Sequence, residues 1–147
     1  MATRVRRIVL WRGEVENVPG ALARTLAPLA ASNLEIVMGY HRHGDGHCAV
    51  VEAYPVTGKR ATEAARRVGL APATLPALLV EGDDRPGLGH AIAQALGAAG
   101  INIGFTVAQA FKKRFSAVFG FESEEAAKRA ASLIKQVATA KKARRSR

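Results

Sequence analysis

The chain has 147 residues, 48% of them hydrophobic and 5% aromatic, with one cysteine and a formal charge of +10. That length allows one ordinary domain or two small ones, and a lone Cys48 excludes an internal disulfide. The N-terminal MATRVRR leads into a strand pattern rather than a signal-peptide apolar block, and no apolar run reaches membrane-spanning length, so a soluble cytoplasmic protein with no membrane partner is expected.

Apolar residues on both alternations predict a first strand from about Val5 to Arg12, with Ile8 and Leu10 on one face and Val9 and Trp11 on the other. Asn17-Val18-Pro19-Gly20 then turns the chain into a helix from Pro19 to about Ala31, whose Leu22, Leu26 and Leu29 share a side. Pro28 falls inside it, where a missing N–H should kink or shorten the helix. A strand from Leu34 to about His41 turns at Gly44-Asp45-Gly46 and returns through Ala49 to Tyr54. Thr57 to Val68 reads as a second helix, followed by a loop with Pro72 and Pro76.

The second half repeats this plan. Leu75 to Val80 is an apolar strand run, and Asp83-Asp84-Arg85-Pro86-Gly87 ends it. Leu88, Ile92 and Leu96, spaced i, i+4, i+8, give the next helix one apolar face. Asp84 is expected to cap its first turn, which tolerates Pro86 because an amide there has no helical partner. Gly87 lets another group approach the backbone, and the free amides of a helix start make a seat for a carboxylate. A strand from about Ile101 to Ala110 turns near Lys112-Lys113 and returns through Phe115 to Phe121.

Phe115, Phe119 and Phe121 fall on one face of that returning strand. A sheet with helices on one side only would leave its second apolar face wet. The expectation is that the other half or a second copy covers that face, hence a homodimer. Ser123 should cap a last helix, with Glu124 and Glu125 in its first turn and Ala126, Ala130, Leu133 and Val137 on its buried face. Beyond Val137 the sequence ATAKKARRSR looks too polar to pack. The basic residues gather there and at Arg4, Arg6 and Arg7, so solvated ends account for the charge more simply than a nucleic-acid partner does.

The two halves are related by an offset of 67 positions: Glu16-Asn17-Val18-Pro19-Gly20 falls on Asp83-Asp84-Arg85-Pro86-Gly87, and Leu29, Ile36 and Val51 fall on Leu96, Ile103 and Val118. The organisation expected is a unit at 1–71, a second at 72–138 and a basic disordered tail at 139–147. Each unit reads as βαββα. A fourth strand is missing or very short near Ala73, or is exchanged between units or chains.

Asp84-Arg85-Pro86-Gly87-Leu88 and Gly100-Ile101-Asn102-Ile103, in a strand–turn–helix–strand context, resemble the ACT domain. That resemblance implies an α+β fold of two ferredoxin-like βαββαβ units in tandem, antiparallel sheets with helices on one face. It also implies a regulatory protein that binds an amino acid and acts on itself or a protein partner, without catalysis or cofactor. The implied ligand positions are Asp84, Arg85, Gly87, Leu88, Asn102 and Ile103 in the second unit, and Asn17, Gly20, Ala21 and Glu35 in the first. In this reading the Gly87 and Leu88 amides take a carboxylate while Asp84 and Asn102 hold the ammonium. The first unit departs from the pattern, with Glu35 where the second has Asn102.

Two other chemistries have some support in the sequence. His41, His43, His47 and Cys48 share one hairpin, so a metal would be within reach, but the spacing matches no zinc motif and a polar hairpin tip suffices; no metal site is expected. Arg114 to Phe121 loosely echoes the stacking strand of RNA-recognition motifs, yet Ser116 and Val118 occupy its central ring positions. No nucleophile–base–acid set or phosphate-binding Gly-rich loop is visible.

Overall fold

The predicted strand from Val5 to Arg12 is two strands, β1 (Arg4–Ile8) and β2 (Trp11–Glu16), and they belong to different sheets. Its doubly apolar character has that origin: Ile8 and Trp11 are buried on either side of a break at Val9-Leu10, in which Leu10 is buried and Val9 exposed. The computed structural model describes residues 3–42, 44 and 46–145. The chain forms two compact units: a continuous unit, residues 9–74, and a split unit, residues 1–8 with 75–147. The contiguous division at 71/72 is thereby corrected, because the first strand completes the sheet of the second half.

In the continuous unit β2 is followed by α1 (Ala21–Leu26), β3 (Ile36–His41), β4 (Cys48–Tyr54), α2 (Lys59–Arg67) and β5 (Ala71–Pro72), with antiparallel sheet order β3-β4-β2-β5. The fourth strand is present but only two residues long, pairing Trp11 with Pro72 and Arg12 with Ala71. Pro28 shortens α1 as expected; the helix stops at Leu26 and a 3-10 turn, Ala27–Leu29, follows. The buried side of α1 is Ala21 and Thr25, continued by Leu29, and Leu22 is left exposed. Trp11, Leu29, Val56, Ala64, Ala65 and Leu70 make the core, with the Arg66 guanidinium 5.2 Å from the centroid of the Trp11 ring.

In the split unit β6 (Ala77–Asp83), α3 (Leu88–Ala98), β7 (Phe105–Phe111), β8 (Arg114–Gly120) and α4 (Glu124–Arg145) join β1 in the sheet order β1-β6-β8-β7. The N-terminal strand thus supplies the βαββα half with its missing edge, antiparallel to β6 with Ile8 opposite Ala77 and Arg4 opposite Glu81. Leu78, Val80, Ala117 and Phe119 face α3 and α4, against Leu88, Ile92, Leu96, Ala127, Ala130 and Ile134. Phe119 and Phe121 lie in this core and Phe115 packs on it. These rings therefore belong to the helix-covered face, and the argument for a second face led by them does not hold.

Ser123 caps α4 through a hydrogen bond from the Ala126 amide to its Oγ, 3.1 Å. The helix's fully buried positions are Ala127, Ala130, Ile134 and Ala138, a register close to the predicted one, whose Ala126, Leu133 and Val137 are only partly buried. It continues to Arg145, so residues 139–145 are helical rather than a disordered tail; Ala, Lys and Arg extend an established helix at little cost. Ser146 and Arg147 lie outside the described residues. Among the described residues no helix is long and apolar enough to cross a membrane.

Candidate functional site

The sequence repeat is matched by three equivalent main-chain bonds at the two strand-to-helix turns. Gly20 and Gly87 are both left-handed, with φ 87° and 83°, and each stands just ahead of a helix. The Ala21 amide donates to the Val18 carbonyl (3.2 Å) and Leu88 to Arg85 (3.3 Å). Arg24 donates to Gly20 (3.0 Å) and Ala91 to Gly87 (2.9 Å). Each turn is also tied to the neighbouring hairpin: Asn17 N–H to the His47 carbonyl (2.9 Å), and Asp84 N–H to the Lys113 carbonyl (2.7 Å).

These bonds revise the roles read from the sequence. Neither helix start carries a side-chain cap, so Asp84 is no helix cap; Gly87 holds that position and Asp84 is exposed. The Leu88 and Ala21 amides are engaged within their turns, and both side chains are buried in their cores, so they are not open seats for a carboxylate. The Arg85 guanidinium reaches the Val137 carbonyl of α4 (Nη2 to O, 3.4 Å), and Asp83 pairs with Arg114 (3.2 Å).

Asp84 and Asn102 do not meet within one unit. Eleven residues of α3 separate the two loops, roughly 16 Å of helix. The sheet register agrees: Asp83 lies opposite Arg114 at one end, whereas Gly104 bonds to Gly120 at the other. Asn102 instead borders a cleft of about 300 Å³ with Glu122, Ser123 and Arg129, and Ile103 packs at the core's edge. Glu35 is displaced from Asn17 in the same manner, its amide bonded to Tyr54 at the far end of β4 from Cys48, which pairs with Glu16.

An open groove of about 430 Å³ does lie at the Asn17 turn. Val15, Ala49 and Val51 lie along it, Leu22 flanks it, and Glu16, Asn17 and His41 stand at its polar margin. The groove exists because α1 buries Ala21 and Thr25 and leaves Leu22 outside the core, while Gly39 on β3 adds no side chain beneath it. The spacing of Leu22, Leu26 and Leu29 points to a different face of α1 from the buried one, Ala21 and Thr25 continued by Leu29, so this space was not expected. A volume of this size accommodates a small metabolite.

On the opposite face of the same sheet, Glu52 is a buried carboxylate, 3% exposed, and accepts a hydrogen bond from the Tyr40 hydroxyl at 3.0 Å. Burial raises the Tyr40 pKa, the Glu52 charge raises it further, and Arg12 opposes both. In the His hairpin, His41 and His47 are exposed, and His43 and Asp45 lie outside the described residues. Among the described residues no group of three His, Cys, Asp or Glu side chains is placed to hold a metal.

No family model matches the chain, and no curated protein does. Among solved structures it is similar to protein BT0572 from Bacteroides thetaiotaomicron, at 16% identity over 87% of each chain with a TM-score of 0.66. It is also similar to the regulatory subunit of aspartate kinase from Thermus thermophilus in its ligand-free form, at 16% identity over 93% of this chain and 97% of that one, TM-score 0.60. A structure of aspartokinase alpha and beta subunits matches over the same shares at 14% identity, TM-score 0.61. At these identities the likeness is one of fold: two ferredoxin-like α+β units in tandem, each with a four-stranded antiparallel sheet.

Proposed function

We propose that this chain is a regulatory protein that binds a small molecule, in the first instance an amino acid, and acts by altering its association with itself or with a protein partner. The observation that carries this reading is the groove at the Asn17 turn, an apolar cleft of about 430 Å³ with Glu16, Asn17 and His41 at its margin. Glu16 matches an ammonium, and the apolar cleft matches a hydrophobic side chain. The likeness of nearly the whole chain to a protein described as the regulatory subunit of aspartate kinase supports a regulatory rather than a catalytic role.

The second turn, with Asp84 and the Gly87 amide, is the companion site in this proposal. Asn102 and Ile103, and likewise Glu35, would join such sites only from a second copy, which is how self-association would respond to ligand. A thermal-shift screen with the twenty amino acids, followed by calorimetry, tests the reading, because a ligand specific to the folded state raises its stability. One or a few amino acids should raise Tm in a saturable way; no shift and no heat from any of them would overturn it.

A further inference from the structure

The excess positive charge is carried almost wholly by one unit and, within it, concentrated at one end. The split unit holds fifteen Lys and Arg against six Asp and Glu, while the continuous unit holds seven against six. The register of the split sheet sets Arg4 beside Glu81 and Asp83 beside Arg114, so the start of β1 and the β7–β8 turn, Lys112-Lys113, lie at the same end. Helix α4 begins after β8 at the opposite end and runs back; its Val137 carbonyl meets Arg85 of the Asp84 loop. Its last two turns, bearing Lys141, Lys142, Arg144 and Arg145, therefore continue beyond the sheet at the Lys112-Lys113 end. The acids at that end are Glu81, Asp83 and Asp84; Glu81 pairs with Arg6 and Asp83 with Arg114. Glu122, Glu124 and Glu125 lie at the other end, around the start of α4.

A large exposed ring accompanies this charge. Phe111, the last residue of β7, is 72% exposed, with the Lys112 ammonium 5.3 Å from the ring centroid. We infer that this basic end is a docking site for single-stranded nucleic acid, bound without sequence preference. Charge complementarity selects a polyanion, and a stacking ring beside a cationic track is what unpaired bases require. A lipid surface is the poorer fit, because α4 beyond Ala138 contributes Thr139, Ala140, Ala143 and cations, with no large apolar residue to enter a bilayer.

The test uses the whole chain and a labelled oligothymidylate, read by fluorescence anisotropy. Affinity should fall about a hundredfold between about 50 and about 200 mM salt, as five or so phosphate contacts require. Lys112 and Lys113 have φ 50° and 65°, so the double variant Lys112→Asn, Lys113→Gly removes two charges while supplying the residues that such a turn prefers. It should bind at least fivefold more weakly and fold as well as the parent. Lys141→Gln, Lys142→Gln, Arg144→Gln and Arg145→Gln together keep good helix formers and should weaken binding further. Phe111→Ala should cost about tenfold on the single strand and leave duplex binding unchanged. No binding at low salt, charge variants that bind like the parent, an inert Phe111→Ala, or capture by phosphatidylserine vesicles but not by the oligonucleotide would each overturn the inference.

Discussion

The Asn17 side-chain amide donates to the Gly46 carbonyl at 3.0 Å, beside the main-chain bond from Asn17 N–H to the His47 carbonyl at 2.9 Å. Two bonds thus fasten the β2–α1 turn to the β3–β4 hairpin and fix one margin of the groove. The Asn17 amide nitrogen is committed to structure. Asn17→Asp replaces a donor by a carboxylate facing a carbonyl, and should lower stability by about 1–2 kcal/mol in urea titrations. Equal stability of the variant would show that the contact contributes nothing.

The left-handed glycines separate turn geometry from side-chain charge. An added Cβ at Gly87 meets nothing within 4 Å, and at Gly20 it comes 3.2 Å from Arg24 Nη1, the mobile end of a long side chain. Alanine at either place therefore costs mainly conformational energy, about 1–2 kcal/mol. Asp84→Asn should leave stability within about 0.5 kcal/mol, since the carboxylate is exposed and caps nothing. If thermal denaturation ranks Asp84→Asn as the more damaging change, the turn is held by charge and not by the glycine.

Element identity was legible because it depends on local pattern. The i, i+4, i+8 run Leu88, Ile92 and Leu96 is the buried face of α3, and the two Pro-Gly turns adopt one conformation, as their shared sequence requires. The partnering of β1 was not legible, because apolar alternation across Val5 to Arg12 says that both faces are covered and nothing about which strand lies alongside. The distance between Asp84 and Asn102 within the unit was not legible for a related reason: a motif preserves spacing along the chain, while α3 carries the second half to the far end of the sheet. The groove was not legible because Leu22, Leu26 and Leu29 and also Ala21, Thr25 and Leu29 satisfy the helical period, and the structure buries the second set.

Arg7 on β1 and Glu124 at the start of α4 form an ion pair at 2.5 Å. The hydrogen bond from Arg7 lowers the Glu124 pKa from its ordinary 4.5, desolvation opposes it, and the charges of Arg7 and Lys128 add to the lowering. A carboxylate whose folded pKa lies below its unfolded one stabilises the fold above the unfolded pKa, and that contribution is lost as pH falls through the folded value. Acid unfolding of the parent should therefore steepen below the ordinary glutamate range, and Glu124→Gln should flatten that region. An unchanged acid limb would mean the pair is open in solution.

The split unit's dependence on its first residues gives the most demanding prediction. All five residues of β1 pair with β6; Ile8 is 3% exposed and Val5 packs against the core. Removing residues 1–8 deletes that ladder, uncovers β6 as a new edge, and strips two apolar side chains worth roughly 1.5–3 kcal/mol each when fully buried. The truncated chain should lose at least about 3 kcal/mol in that unit and aggregate through the bare edge. Its rescue follows from topology. Val137 of α4 lies beside Arg85 at the end of the sheet where β1 begins, so residues 3–8 appended after α4 through a flexible linker restore an uninterrupted βαββαβ order. Relocated in this way, the strand should recover stability and monodispersity, whereas a scrambled copy of the same residues should not. A truncated chain as stable as the parent, or a rescue equally good with the scrambled strand, would mean that β1 contributes no more than an ornamental edge to the sheet.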